Sequence, residues 1–174
     1  MFLPNRSDRF IFRFPKEFFA ESIMEKYRPY IFRISTPIED PAEFLQATVQ
    51  GVTFPSFGFE PAEQERGAIP ISYRSSTCEV NLPESKEFSI TFLYTEGYIN
   101  YWMMVDLLFY WYSFENPKIN FQSPFRIHFL DLEGFHLYTA HFRETIFKSV
   151  DGLELNYSNN VPDFNTFEAS FSYN

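Results

Sequence analysis

Residues 98–114, YINYWMMVDLLFYWYSF, restrict the fold of this chain more than any other segment. The segment lacks the alternation of a strand and is too long for an ordinary one, so it predicts a helix. Two apolar stripes would run along that helix: Trp102, Val105, Phe109 and Tyr112 in one, and Met103, Leu107, Tyr110 and Phe114 in the other. A helix that is apolar on nearly all sides has to be covered on nearly all sides. We therefore expect the chain's own sheet to cover one stripe and a partner to cover the other.

Much of the remaining sequence alternates between apolar and polar residues, which is typical of half-buried strands. The clearest cases are residues 88–94 and the C-terminal TFEASFSYN, in which Phe167, Phe171 and Tyr173 share one face. Further strands are predicted over 30–35, 42–54, 69–82, 123–134, 135–147 and 152–158. A strand that continues to the last residues must pair with a neighbour, in its own subunit or in another.

The predicted fold is mainly β with helices: a β-sandwich or partly open barrel, one central helix and one short N-terminal helix. That second helix is predicted over 15–29, because Pro15 suits a first helical position and Pro29 ends the pattern. The sequence shows no internal repeat and no linker. It predicts a single domain, with an N-terminal extension over 1–41 and a β domain over 42–174.

Composition limits the classes of partner. The net charge of −9 and the pI of about 4.8 argue against tight binding of nucleic acid, which usually requires a basic surface. The single Cys78 permits no intrachain disulfide and fits a reducing cytoplasm. No apolar run is long enough for a signal peptide or a membrane span. The 24 phenylalanines and 11 tyrosines indicate surface that is buried against other protein, or else an aromatic-rich core alone.

The sequence carries no pattern of catalytic or cofactor-binding residues. The six glycines are too widely spaced for a phosphate-binding loop. His128, His136 and His141 are accompanied by no spacing typical of a metal site. Cys78 lies in a Ser/Thr-rich stretch, where a small half-buried residue is a more common reading than a nucleophile. We therefore predict a protein that is not an enzyme and that binds no metal and no cofactor.

Three segments in order carry a resemblance to a known family. They are FLQATVQGVTFPSFG, then KEFSITFLYTEG followed directly by the apolar helix, and finally GLELNYSNN with FNTFEASFSYN. Together they resemble the tail tube proteins of contractile-tailed phages and the related tube proteins of secretion systems, over about residues 42–174. The N-terminal 40 or so residues are longer and more aromatic than in that family, which leaves a tube initiator or baseplate component open.

The resemblance implies a structural subunit of a viral tail tube, in which six-fold rings stack into a hollow conduit. It implies that the chain binds itself and meets sheath, baseplate and terminator proteins. Genomic DNA would pass through the lumen without tight binding. The expected location is the tail of the virion, and the host cytoplasm during assembly. A monomeric β-barrel that binds an apolar ligand is the alternative from a different class.

Under this hypothesis, particular residues are candidates for the lumen and for subunit contacts. The polar strand positions Glu79, Asn81, Glu154 and Asn156 would face the lumen. The segment 56–68 is expected to be a contact loop, with 62–66 as a solvated acidic patch. The predicted contact residues are Phe57, Glu63, Glu65, Arg66, Trp102, Tyr110, Phe167, Phe171 and Tyr173.

Overall fold

The computed structural model describes residues 9–34, 38, 40–56, 62–65, 72–75, 86–113, 121–153, 155 and 165–174, with the backbone alone for 62–65 and 72–75. This part of the chain contains nine strands and three α-helices. The strands are β1 (Phe10–Arg13), β2 (Val49–Thr53), β3 (Ala62–Glu65), β4 (Ser72–Ser75), β5 (Glu87–Leu93), β6 (Phe125–Leu130), β7 (His136–Phe142), β8 (Ile146–Val150) and β9 (Thr166–Ser172). The helices are α1 (Glu21–Arg33), α2 (Pro41–Ala47) and α3 (Ile99–Trp111), with 3-10 turns at Lys16–Phe18 and Glu96–Tyr98.

Two antiparallel sheets form the body of the molecule. One has three strands in the order β1-β6-β7, and the other has four in the order β2-β5-β9-β8. A separate pair is formed by β3 and β4. Strand β5 alternates buried and less buried residues along its length, and β9 does the same. Each of these strands therefore has one face in the core and one face outward.

Aromatic side chains fill the space between the two sheets. Phe88 of β5 stacks on Phe142 of β7 with ring centroids 4.2 Å apart. Phe125 of β6 lies 5.0 Å from Phe171 of β9. The fold is thus mainly β with helices, as predicted, and its sheets do not close into a barrel. The closed barrel required by the ligand-binding alternative is not formed, and aromatic rings occupy the interior between the sheets.

The strand of β5, the helix α3 and the C-terminal strand β9 lie where the alternation and the apolar run predict them. Strands β6 and β7 likewise fall within the predicted stretches 123–134 and 135–147, whereas β8 begins at the end of the second stretch and extends beyond it to Val150. Residues 152, 153 and 155 are not in a strand, contrary to the prediction for 152–158. Residues 62–65, predicted to be part of a loop, form a strand that pairs with β4.

The helical segments near the N-terminus differ from the prediction. Helix α1 continues through Pro29 to Arg33, where a strand was expected, because Met24, Tyr27 and Ile31 form one buried stripe. Residues 41–47 also form a helix rather than a strand. Pro41 stands at the start of α2, and the Asp40 side chain accepts a hydrogen bond of 3.1 Å from the Ala42 N–H, which caps it.

The N-terminal segment belongs to the same core as the rest of the chain. Strand β1, which the sequence pattern did not predict, pairs with β6. The side chain of Phe18 is fully buried among rings from β6, β8 and β9. The described residues 9–34 are therefore an integral layer of the fold.

Candidate assembly surfaces

One apolar stripe of α3 faces away from the molecule. The buried side of the helix contains Met103, Met104 and Leu107. On the opposite side, Trp102 is 49% exposed and Phe109 is 70% exposed. Monomeric proteins rarely leave a contiguous row of large apolar side chains in water, and such rows commonly mark contact sites. This arrangement matches the expectation that the chain's own fold covers only one stripe.

Hydrogen bonds at both ends hold α3 in place. Near its start, the buried Asn100 donates from Nδ2 to the Leu93 carbonyl at 2.6 Å and to Thr48 Oγ1 at 3.2 Å. Its Oδ1 accepts from the Thr95 N–H at 3.2 Å. At the other end, the Trp111 indole N–H donates to the Phe18 carbonyl at 3.2 Å. The exposed stripe is thus presented on a fixed helix.

Helix α1 supports the flank of α3 through Asp106. The Tyr27 hydroxyl donates to Asp106 Oδ2 at 2.6 Å, and Lys26 forms an ion pair with the same carboxylate. Burial, together with the hydrogen bond to Asp106 and its charge, raises the pKa of Tyr27 above the usual tyrosine value. The stabilisation from the neutral phenol is therefore complete below about pH 10 and is lost as pH rises above it.

We predict that Tyr27→Phe lowers the free energy of unfolding by about 1–2 kcal/mol at neutral pH, because the hydrogen bond to a charged group is lost. Urea denaturation of the variant and the parent measures this difference. Tyr30→Phe is the matched control, since Tyr30 is 50% exposed. An equal loss of stability in both variants would contradict a specific role for the Tyr27–Asp106 contact.

The outward face of the four-stranded sheet is covered by small hydroxyl side chains. Strand register places Thr53, Ser89, Ser170 and Ser149 in one row across β2, β5, β9 and β8. The neighbouring row pairs Thr91 with the exposed Glu168. The exposed Glu87 forms an ion pair with Lys148 of β8 on the same face. This face is flat, polar and close to neutral, with a slight excess of carboxylates.

The predicted contact residues differ in how far the structure buries them. Trp102 is on the exposed stripe and is available to a partner, whereas Tyr110 is half-buried beside Trp111. Tyr173 is also half-buried, at 5.0 Å from the ring of Phe142, and burial raises its pKa. Phe167 and Phe171 are corrected: both are at most 2% exposed, so their side chains pack inside the chain's own core. The alternation of β9 predicted a two-faced strand but did not reveal which face was inward.

The remaining candidates are described in part or not at all. Glu63 and Glu65 lie on β3, for which the backbone alone is described. The contact candidates Phe57 and Arg66 and the lumen candidates Glu79, Asn81, Glu154 and Asn156 lie outside the described residues. The lumen assignment of these four residues therefore stays a prediction, and a polar surface without basic side chains is described on the outward face of β5 and β9.

Sequence reasoning missed Asn100 altogether. It interrupts an apolar run, and its position directly after the turn at Gly97 was the available signal that the side chain could hold the helix start. The left-handed conformation of Gly97, with φ of 67°, and of Tyr98, with φ of 56°, creates the sharp entry into α3 that Asn100 stabilises.

The described residues show little that resembles a reaction centre. No group of three or more His, Cys, Asp or Glu side chains among them is placed to hold a metal ion. A shallow polar depression of about 310 Å³ lies at the turn between β5 and α3, lined by residues 93–98 and Asn165. Within the described part of the chain, no helix has the length and apolarity needed to cross a membrane.

The fold is similar to that of a solved chain in a phage-like particle. The structure is described as a cryo-EM structure of the anti-feeding prophage baseplate, six-fold symmetrised. The likeness has a TM-score of 0.53 at 13% identity and covers 100% of this chain and 94% of that chain. No protein-family model matches the sequence. No curated protein matches it either. The similarity extends over the whole length of both chains and is one of fold.

Proposed function

We propose that this protein is a non-enzymatic structural subunit of a contractile injection particle, located in its baseplate or tube. The fold likeness along the whole chain to a baseplate component carries this proposal. The resemblance of three sequence segments to tail tube proteins supports it independently. In this role the chain assembles into rings with copies of itself and meets neighbouring baseplate, sheath or terminator proteins.

Six-fold rings are the proposed form of the assembly, in keeping with the six-fold symmetry of the similar structure. Heterologous contacts around a closed ring remove the exposed strand edges that a lone subunit presents. The two larger described sheets leave four such edges, at β1, β7, β2 and β8. In a ring, neighbouring subunits would pair with these edges or cover them, which leaves fewer backbone N–H and C=O groups unpaired.

The outward face of the four-stranded sheet is the proposed wall of the lumen. A conduit for a polyanion must avoid unpaired lysine and arginine, since each phosphate contact adds affinity by releasing counterions. The row of Thr53, Ser89, Ser170 and Ser149 offers hydroxyl groups only, and Lys148 on this face is paired with Glu87. Glu168 adds a charge that repels phosphate. A map of the assembled ring in which this face points away from the central hole would disprove the assignment.

The choice between tube and baseplate depends on stacking. A tube subunit polymerises into stacked rings of variable length, whereas a baseplate or tube-initiating subunit stops at one ring or awaits partners. The similar structure is a baseplate, and the N-terminal segment is longer than in tail tube proteins. Both observations favour the baseplate or initiator role over the main tube subunit.

The exposed stripe of α3 is the proposed contact between subunits. We predict that the double variant Trp102→Ser/Phe109→Ser loses the species larger than one chain in sedimentation velocity runs at micromolar concentration. Its free energy of unfolding should change by less than about 0.5 kcal/mol per site, because both side chains are exposed.

A matched control removes equally exposed aromatic surface elsewhere. Phe32 on α1 is 77% exposed and Phe135 in the β6–β7 turn is 66% exposed. The variant Phe32→Ser/Phe135→Ser should assemble as the parent protein does. Normal assembly of the α3 variant would show that this stripe is not a subunit contact.

A further inference from the structure

The outward face of the three-stranded sheet gathers positive and imidazole side chains from three strands. Register places Arg13 of β1, Arg126 of β6 and His141 of β7 directly beside one another in one row. The next row contains Ile11, His128 and Thr139. The other face of the three-stranded sheet carries Phe12 and Ile127, which are buried. The two rows therefore point away from the core. We call this set of outward side chains the basic face.

All three histidines of the chain lie on the basic face. A register shift at the start of β7 brings His136 beside His128, with ring centroids 5.5 Å apart. Both rings contact the hydroxyl of Thr139, His128 through Nδ1 at 2.8 Å and His136 through Nε2 at 2.7 Å. The charged groups around His128 are Arg13, Arg126, His136 and His141, and all of them are bases.

This arrangement costs stability in the isolated chain. Like charges directly opposite one another on neighbouring strands are destabilising. Within the part of the chain that the structure describes, the guanidinium groups of Arg13 and Arg126 make no hydrogen bond and no ion pair. Burial, and then the surrounding bases, lower the pKa of His128. A lowered histidine pKa is expected where positive groups lie close together without a carboxylate to balance them. The chain has a net charge of −9 and therefore many carboxylates. None of the described carboxylates is among the charged groups that surround His128 on this face.

We propose that the basic face is a docking site for an acidic surface of a different protein in the particle. Charge complementarity identifies this partner, because the face offers two guanidinium groups and three imidazoles to a set of carboxylates. A second copy fits less well. On the outward face of the four-stranded sheet Glu87 is already paired with Lys148, so Glu168 stands there among hydroxyl side chains, and one carboxylate does not match a face of several bases. Asp106 is engaged by Lys26 and Tyr27.

Nucleic acid also fits less well than protein. The chain as a whole repels a polyanion at long range. Ile11 lies on the edge strand β1 of the basic face, beside His128, and is 40% exposed, and Leu137 on β7 is 59% exposed. Apolar side chains between charges suit a protein surface, where they can be buried, better than a phosphate backbone. The basic face combines both kinds of contact.

Protonation of His128 couples docking to pH. The pKa of this imidazole is lowered by burial and by its basic neighbours on β1, β6 and β7, so it gains its proton below the ordinary histidine value of about 6.5. The added positive charge appears while the partner's carboxylates stay ionised down to about pH 5. Docking should therefore tighten as pH falls below about 6.5.

The test uses the full chain and a labelled poly-glutamate peptide as the probe, with binding followed by fluorescence anisotropy. We expect binding that tightens severalfold as pH falls from about 7 to about 5.5 and that weakens with added salt. Arg13→Gln/Arg126→Gln should weaken it about tenfold. The same variant should be at least as stable as the parent, because it relieves the like-charge pair. Arg28→Gln/Arg33→Gln on α1 removes the same charge from exposed positions and should bind as the parent does.

Three outcomes would overturn the proposal. The first is equal binding by the parent and the Arg13/Arg126 variant. The second is tighter binding of a DNA duplex than of poly-glutamate through the same two arginines. The third is self-association of the parent at pH 6 that the variant abolishes, which would make a second copy the occupant. The proposal rests on the proposed role in a multi-protein particle, but ring formation is measured without the peptide, so either can fail alone.

Discussion

Replacing Phe18 with alanine should cost about 3–5 kcal/mol of the free energy of unfolding, the range for a large aromatic side chain in a packed core. Phe18 is fully buried, and its ring lies 4.9 Å from that of Phe14 and 5.6 Å from that of Phe147. It also contacts the rings of Phe125 and Phe171. Because these partners come from both sheets, the cavity left by the substitution cannot be closed by moving one element.

Urea denaturation followed by tryptophan fluorescence and by circular dichroism measures this loss. Phe32→Ala is the control, since Phe32 is 77% exposed and its loss should change stability by less than about 0.5 kcal/mol. A Phe18→Ala protein with nearly the stability of the parent would mean that the N-terminal segment does not pack between the sheets as described.

The second large effect is expected at Asn100. Asn100→Leu should lower the free energy of unfolding by about 2–4 kcal/mol, because it removes the side-chain hydrogen bonds of the Leu93 carbonyl and the Thr95 N–H in a part-buried site. The Thr48 hydroxyl loses its bond to Asn100 but keeps its bond to the Leu45 carbonyl. Leucine keeps the branching and the number of side-chain heavy atoms, so most of the cost reports on hydrogen bonding.

The matched control for Asn100 is Asn174→Leu at an exposed position, where the only described side-chain contact is a 3.4 Å hydrogen bond to Glu144. It should be nearly neutral in the same denaturation experiment. If Asn100→Leu were neutral as well, the attachment of α3 to the end of β5 would not depend on this network. Loss of assembly in Asn100→Leu, measured at a temperature where the variant is folded, would further link the network to the orientation of the α3 stripe.

The elements with an unambiguous pattern could be predicted from the sequence. In β5 and β9, apolar side chains alternate strictly with polar ones, and only a strand puts such residues on separate faces. Helix α3 could be predicted because its apolar run is too long for a strand. Its outward stripe was one of the two that the sequence offered, but the choice between them depends on where α1 and the sheets pack.

The N-terminal half misled sequence reasoning for identifiable reasons. Pro29 predicts the end of a helix, yet α1 continues past it because its buried stripe includes Ile31. The alternation of Leu45, Ala47 and Val49 suggested one strand. The capping signal Asp40-Pro41, which starts α2, outweighs that alternation for residues 41–47. Short elements have weak periodicity, so a cap or a single tertiary contact decides their conformation.

Local sequence patterns could not predict the basic face. Arg13, Arg126 and His141 are distant in the sequence and come together only through the pairing of β1 with β6 and of β6 with β7. The same is true of the hydroxyl row on the opposite side of the molecule, where four strands each contribute one residue. Surfaces built across a sheet depend on strand order and register, which local propensity does not specify.

The central claim, that this chain is a ring-forming subunit of an injection particle, is tested most directly by electron microscopy of the purified protein in negative stain. We predict ring-shaped particles with six-fold symmetry and a central hole, each containing six chains of 20.8 kDa. Single rings would favour the baseplate or initiator role, and stacked rings the tube role. Particles no larger than one chain at every concentration up to the micromolar range would contradict the claim.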